Sequence, residues 1–182
     1  SLDAFQVYRE MDIGTAKPSR SDRASVPHHL IDVADPSEEW SVRLTQQAAR
    51  RALDEIEARG GRALLVGGTG LYVRAVIDEL AVPMGDASVR QTLEAETATA
   101  EGLAEAHDRL VRLDPVAAAR IEPGNRRRIV RALEVIAITG APFSASGPGL
   151  DAYGPPALDV ALVGIDLPPD LLSDRIGARV EA

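Results

Sequence analysis

Hydrophobic and polar positions change their spacing three times along this chain. Val42, Thr45, Ala49, Ala52, Leu53 and Ile56 recur at three- and four-residue intervals, which places them on one face of a helix. Ser41 stands at the N-cap position, and Gly60-Gly61 close the run. Residues 63–66 are then a short continuous apolar run, Gly67-Gly68-Thr69-Gly70 a tight loop, and residues 71–80 a second helical pattern. Strand, glycine loop and helix in that order are the basic α/β unit. Upstream, residues 1–8 predict the end of a strand and a turn. Residues 9–40, broken by Pro, Asp and Gly, predict loops with a short strand near residues 30–33.

Past Pro83 the alternation characteristic of strands disappears. Residues 86–140 are rich in Ala, Glu, Arg and Leu and predict three or four helices. Asp114-Pro115 supplies a cap and a first-turn proline. Asn125 caps the run NRRRIVRALEVIAIT, which Gly140 ends. Residues 143–157, rich in Gly, Pro and Ser, predict a loop; residues 158–165 return to a strand pattern, and Pro168 opens a last helix. The expected organisation is an α/β core in two pieces, residues 1–80 and 146–182, with a helical insertion over residues 81–145.

Composition narrows the classes. The 182 residues contain no cysteine, which excludes disulfides and Cys-based metal sites and is compatible with a reducing cytosol. No apolar run approaches the ~20 residues of a membrane span. A formal net charge of −8 argues against a protein coated with nucleic acid, yet allows a local basic groove, because charges are screened beyond about 8 Å. One Trp, three Tyr and two Phe leave few platforms for base stacking.

The candidate chemistry is confined to a few places. A Gly67–Gly70 loop between strand and helix aims free N–H groups at whatever lies above it, and Thr69 adds a hydroxyl; the same loop also reads as a plain capped turn. Asp3 falls where a strand should end, the side of an open α/β sheet on which ligands gather. It reads equally as a base, a cation ligand or the first residue of a turn. Lys17 invites a phosphate, but the pattern G-x-x-x-x-G-K-[ST] occurs nowhere in the chain, which favours a solvated loop lysine. His28-His29 have no third ligand nearby and read as structural. Arg126, Arg127, Arg128 and Arg131 crowd a helix N-terminus against its dipole. They call for phosphates or for acidic neighbours such as Glu122. Arg175 and Arg179, four apart, make a fork suited to a diphosphate or simply a solvated face.

Taken in order, DAFQVYREMDIGTAKPS, VPHHLIDVADPSEEWSV, LLVGGTGLYVRA, DPVAAARIEPGNRRRIVRALEV and DRIGARV resemble the tRNA dimethylallyltransferases (tRNA isopentenyltransferases). The resemblance spans essentially the whole chain. It implies a P-loop NTPase-like parallel sheet core with an all-helical insertion that embraces an anticodon stem-loop. The reaction implied is transfer of a dimethylallyl group from dimethylallyl diphosphate to N6 of the adenine beside the anticodon, assisted by Mg²⁺. It further implies Asp3 as the general base, with Thr69 in support. Asp3, Ala4, Phe5, Gln6, Thr69, Arg90, Arg127, Arg128, Ile129, Val130 and Arg131 are implied tRNA contacts, and Arg179, with Arg175, an implied diphosphate ligand. A cytoplasmic monomer without protein-bound metal ligands is expected. Ala4 stands where the family has Ser, and Glu122-Pro123-Gly124-Asn125 where it has His-Pro-Asn-Asp. The family's first strand and phosphate loop correspond to positions before Ser1, and a helical region to positions after Ala182. The chain is therefore expected to be an internal piece, inactive alone. The alternatives are an adenylate isopentenyltransferase acting on free nucleotides, a small-molecule kinase of the same broad fold, and a non-catalytic RNA-binding module.

Overall fold

Ser41 caps the first long helix as its sequence requires, its hydroxyl accepting the Leu44 N–H at 3.3 Å. A computed structural model of the chain describes residues 1–80, 82–146 and 156–181. Following the short α1 (Arg20–Ser25), α2 (Val42–Ala58) turns Thr45, Ala49 and Ala52 inward. They meet α3 (Gly70–Ile77), which buries Tyr72, Ala75, Val76 and Ile77. Leu2 and Leu30 complete this first core, with Trp40, Leu65 and Leu158 at its edge.

The second core is wholly helical. It is built by α4 (Ala87–Glu96), α5 (Ala100–Leu113), the single turn α6 (Pro115–Ala118) and α7 (Arg126–Thr139). Leu93, Leu110, Ile121, Ile129 and Leu133 are its large buried side chains, each worth roughly 1.5–3 kcal/mol of transfer energy. Asp114 caps α6 through the Ala117 N–H at 3.0 Å, with Pro115 in the first turn. Asn125 caps α7 through the Arg128 N–H at 3.2 Å. Gly140 ends α7 at φ 68°, a left-handed conformation that glycine adopts without strain. A 3-10 turn, Phe143–Ser146, folds back on α6 and α7. Three or four helices were expected between residues 86 and 140, and the structure has four, α4 to α7.

The expected strands are where the structure differs. Among the described residues no ladder forms, and the single bridge is a parallel one between Tyr8 and Ala34. Among the described residues, the one backbone hydrogen bond between residues 63–66 and another segment is Leu2 N–H to the Val66 carbonyl at 2.7 Å. The return run 158–165 forms no backbone pairing among the described residues and exposes Val163 and Ile165 almost completely. A strand pattern specifies a pleated segment but cannot supply the partner whose N–H and C=O groups complete it. The final helix α8 (Pro169–Glu181) buries none of its residues. Most of the expected Gly/Pro/Ser loop, residues 147–155, lies outside the described residues.

Candidate functional site

Asp3 opens a tight turn. Its Oδ1 accepts the Phe5 N–H at 2.8 Å and the Gln6 N–H at 3.3 Å, the local bonding that short acidic side chains favour at turns. Oδ2 has no hydrogen-bond partner among the described residues. The next amide, Ala4 N–H, is accepted by the Thr69 hydroxyl at 3.1 Å. Leu2 is bonded to Val66, and the two segments approach so closely that a Cβ on Gly67 would lie 2.2 Å from the Leu2 carbonyl oxygen. Only glycine fits there. The Asp3 turn and the Gly67–Gly70 loop are thus one unit, and the Gly68 and Thr69 amides beside it carry no hydrogen bond among the described residues. A cavity of about 450 Å³ opens alongside, lined by Leu2, Asp3, Gln6, His29, Ala52 and Gly67.

Loop 9–35 buttresses this turn. Gln6 spends its whole amide group on it: Nε2 donates to the Thr15 and Ala16 carbonyls, both at 3.1 Å, and Oε1 accepts from Ser1 Oγ at 2.8 Å. Lys17 is neither solvated nor turned toward a phosphate site. Its side chain is 2% exposed, and Nζ donates to the Tyr8 carbonyl, Asp12 and Asp32 at 2.5, 3.0 and 2.7 Å. Asp32 also receives Arg23. Burial acts to lower the Lys17 ammonium, but Asp32 and Asp12 outweigh it and raise its pKa above the ordinary lysine value. Burial acts to raise the Asp32 carboxyl, and Lys17 and Arg23 together hold it below the ordinary range. Around this knot Ala16, Leu30 and Asp32 adopt positive φ, conformations that persist only where the surroundings over-determine them.

The second basic feature is the arginine run of α7. Ile129 and Val130 turn into the helical core and are 0% and 5% exposed, so they offer a partner almost no surface. Arg127 and Arg128 are exposed and form no ion pair among the described residues. Arg126 reaches back to Thr97 at 3.1 Å. Arg131 and Arg90 converge on Glu134, a fully buried carboxylate. The acidic partner is therefore Glu134 and not Glu122.

Other candidates stand apart. Arg175 and Arg179 lie on the exposed helix α8 and bond to no residue of the Asp3 turn. Phe5 is 63% exposed beside Asp3. His28 Nδ1 contacts the Val26 carbonyl, and among the described residues no three acidic or histidine side chains converge as a metal cage. Sequence reasoning passed over Glu134 and the burial of Lys17. Glu134 had a signal: it lies four residues from Val130, on the core face of an apolar helix, where a carboxylate demands partners.

With this geometry in place, comparison with known proteins gives a consistent result. The IPP transferase family model matches residues 6–182. The tRNA dimethylallyltransferases of Salinispora tropica and Kineococcus radiotolerans are each 51% identical over 181 residues, covering 100% of this chain and 55% and 56% of theirs. The chain spans about half the length of the curated relatives it matches. Among solved structures, the tRNA isopentenylpyrophosphate transferase of Bacillus halodurans is 43% identical at a TM-score of 0.55, covering 98% of this chain and 55% of its own. A eukaryotic dimethylallyltransferase acting on tRNA is 27% identical at a TM-score of 0.64, over 79% of this chain and 36% of its own.

Proposed function

The chain belongs to the IPP transferase family, and from that premise we propose that it carries the acceptor half of a tRNA dimethylallyltransferase site. The observation that supports this best is the junction of the Asp3 turn with the Thr69 loop. A carboxylate oxygen and helix-start amides that carry no hydrogen bond among the described residues suit a reaction in which one group takes a proton while another departs as an anion.

The chemistry needs both. N6 of adenine is a weak nucleophile because its lone pair is delocalised into the ring. The bond between N6 and the allylic carbon forms as the carbon–oxygen bond to diphosphate breaks, and the N6 proton passes to Asp3 Oδ2. Thr69 fixes the carboxylate by holding the Ala4 amide. Negative charge grows on the departing diphosphate, which the Gly68 and Thr69 amides are suited to meet. The adenine must leave its stack to reach this turn, and exposed Phe5 offers a surface to receive it. Gln6 works by tying the turn to loop 9–35. Arg127 and Arg128 take RNA phosphates. Arg175 and Arg179 reach the diphosphate once α8 docks.

The exposed apolar runs 63–66 and 158–165 support a parallel P-loop-like sheet, each being a strand pattern whose edge awaits a partner. The two hydrophobic cores support a division into an α/β part and a helical RNA-binding arm over residues 81–145. Mg²⁺ would be held mainly by the diphosphate, whose growing charge it would partly neutralise.

The test offers labelled dimethylallyl diphosphate to the complete protein with an anticodon stem-loop or AMP as acceptor. Label in the stem-loop adenine supports the proposal. Label in AMP alone makes it a nucleotide prenyltransferase. Stem-loop binding without transfer makes it a binding module.

A further inference from the structure

The second cluster, around Glu134, does work that the reaction itself does not explain. The Glu134 side chain is 0% exposed, whereas those of Arg90 and Arg131 are 36% and 30% exposed. One carboxylate lies beneath two half-open guanidinium groups. Oε2 accepts Arg131 Nη1 at 2.7 Å, and Oε1 accepts Arg90 Nη2 at 3.1 Å. The same Oε1 accepts the Asp86 N–H at 2.9 Å, at the cap of α4, and Arg131 Nη2 donates to the Pro83 carbonyl at 2.8 Å. The cluster holds together α4, α7 and, through residues 83 and 86, the segment that joins the two cores. Gly85 makes room: a Cβ there would stand 2.8 Å from Arg90 Nη2 and 3.1 Å from Glu134 Oε1.

Charge counting shows what the cluster offers outside. Two cations sit over one buried anion, and the only further acidic partner among the described residues, Glu39 at 3.7 Å from Arg90, is 91% exposed, so solvent screens most of its charge. An excess positive charge faces outward on guanidinium groups whose inner edges are already fixed. Such a fork loses little side-chain freedom when an anion arrives. A buried carboxylate is costly unless its partners are complete, so its presence ties the orientation of both arginines to the position of the α4 cap.

We infer that Glu134 is a positioning residue for RNA recognition: it locks Arg90 and Arg131 into a preformed pair that receives anticodon stem-loop phosphates at the joint between the two cores. This rests on the proposed tRNA reading, and it goes beyond it by naming a residue that touches no RNA. The argument is geometric and makes a directional demand. Loss of the carboxylate weakens RNA binding only through the two arginines.

The experiment measures stem-loop affinity and steady-state kinetics for the complete protein, its Glu134→Gln variant, an Arg90→Gln/Arg131→Gln variant and the triple variant. Glu134→Gln is expected to weaken the stem-loop by roughly tenfold or more, raising KM for RNA while kcat at saturating RNA stays near the wild-type value. In the background lacking both arginines the Glu134 change should have no further effect. Gly85→Ala, which displaces the Arg90 guanidinium but deletes no bonded group, should weaken the stem-loop in the same direction; it decides the matter if Glu134→Gln fails to fold. Unchanged affinity in folded Glu134→Gln or Gly85→Ala, or an equal loss without the arginines, overturns the inference. Failure of the wild-type protein to bind the stem-loop overturns instead the tRNA reading beneath it.

Discussion

The Thr69 hydroxyl accepts the Ala4 backbone N–H at 3.1 Å, and this bond joins the acidic turn at Asp3 to the glycine loop across a sequence separation of 65 residues. A hydroxyl that only capped α3 would face the helix; here it faces the neighbouring chain. Thr69→Val keeps the shape and removes the acceptor. Prenyl transfer by the complete protein should fall about two- to tenfold, since a lost hydrogen bond of this kind costs about 0.5–1.5 kcal/mol, and Thr69→Ser should restore most of it. Equal activity in all three would detach Thr69 from the site.

Lys17 predicts a stability effect rather than a binding one. Asp32→Asn leaves a buried ammonium with weakened compensation and should cost about 3 kcal/mol in denaturant unfolding. Lys17→Met removes the charge itself but releases the left-handed residues Ala16 and Asp32, and should cost less. If Asp32→Asn unfolds at the wild-type denaturant concentration, the knot is not what holds loop 9–35.

Three buried or half-buried carboxyls set the acid limit. Burial acts to raise Asp114, but the Ser144 and Ala117 N–H groups outweigh it and hold it below the ordinary aspartate range. Burial likewise acts to raise Glu134, but Arg131, the Asp86 N–H and Arg90 outweigh it; Asp32 behaves the same way. A depressed folded-state pKa means the unfolded chain takes up the proton first. These groups therefore stabilise the fold above about pH 4, and that stability drains away as pH falls further. Lys17 has the opposite sign. Its raised pKa stabilises below the ordinary lysine value and is lost as pH climbs beyond it. Urea midpoints measured from pH 7 to pH 3 should fall steadily below about pH 4, and Asp114→Asn should flatten the decline.

Arg127 and Arg128 are exposed at the start of α7 with no acidic partner among the described residues, at the helix end where cations are least welcome. If RNA phosphates take up this misfit, replacing both with Ala should weaken the stem-loop and lower the log–log salt slope by roughly one to two units. An unchanged slope would assign them to solvent.

The helices were legible because their signals are local. Ser41, Asp114 with Pro115, Asn125 and Gly140 act within a turn of where they stand, and each appears at the terminus it announced. Residues 63–66 and 158–165 announced strands with equal clarity, yet a strand is a relation between segments, and among the described residues no neighbour completes a ladder with these runs. The Asp3–Thr69 junction was expected from motif order alone, since no spacing rule brings residues 3 and 69 together. Lys17 and Glu134 were hidden for a different reason. Burial of a charge depends on partners drawn from several elements: Tyr8, Asp12 and Asp32 for the lysine, Pro83, Asp86 and Arg90 for the Glu134–Arg131 pair.

The central claim is that the Asp3 carboxylate takes the N6 proton, and single-turnover transfer to saturating stem-loop by Asp3→Ala in the complete protein tests it most directly. The account predicts a rate lower by roughly 10²–10⁴-fold with stem-loop affinity within a few-fold of wild type. An unchanged rate, or a loss confined to affinity, would contradict it.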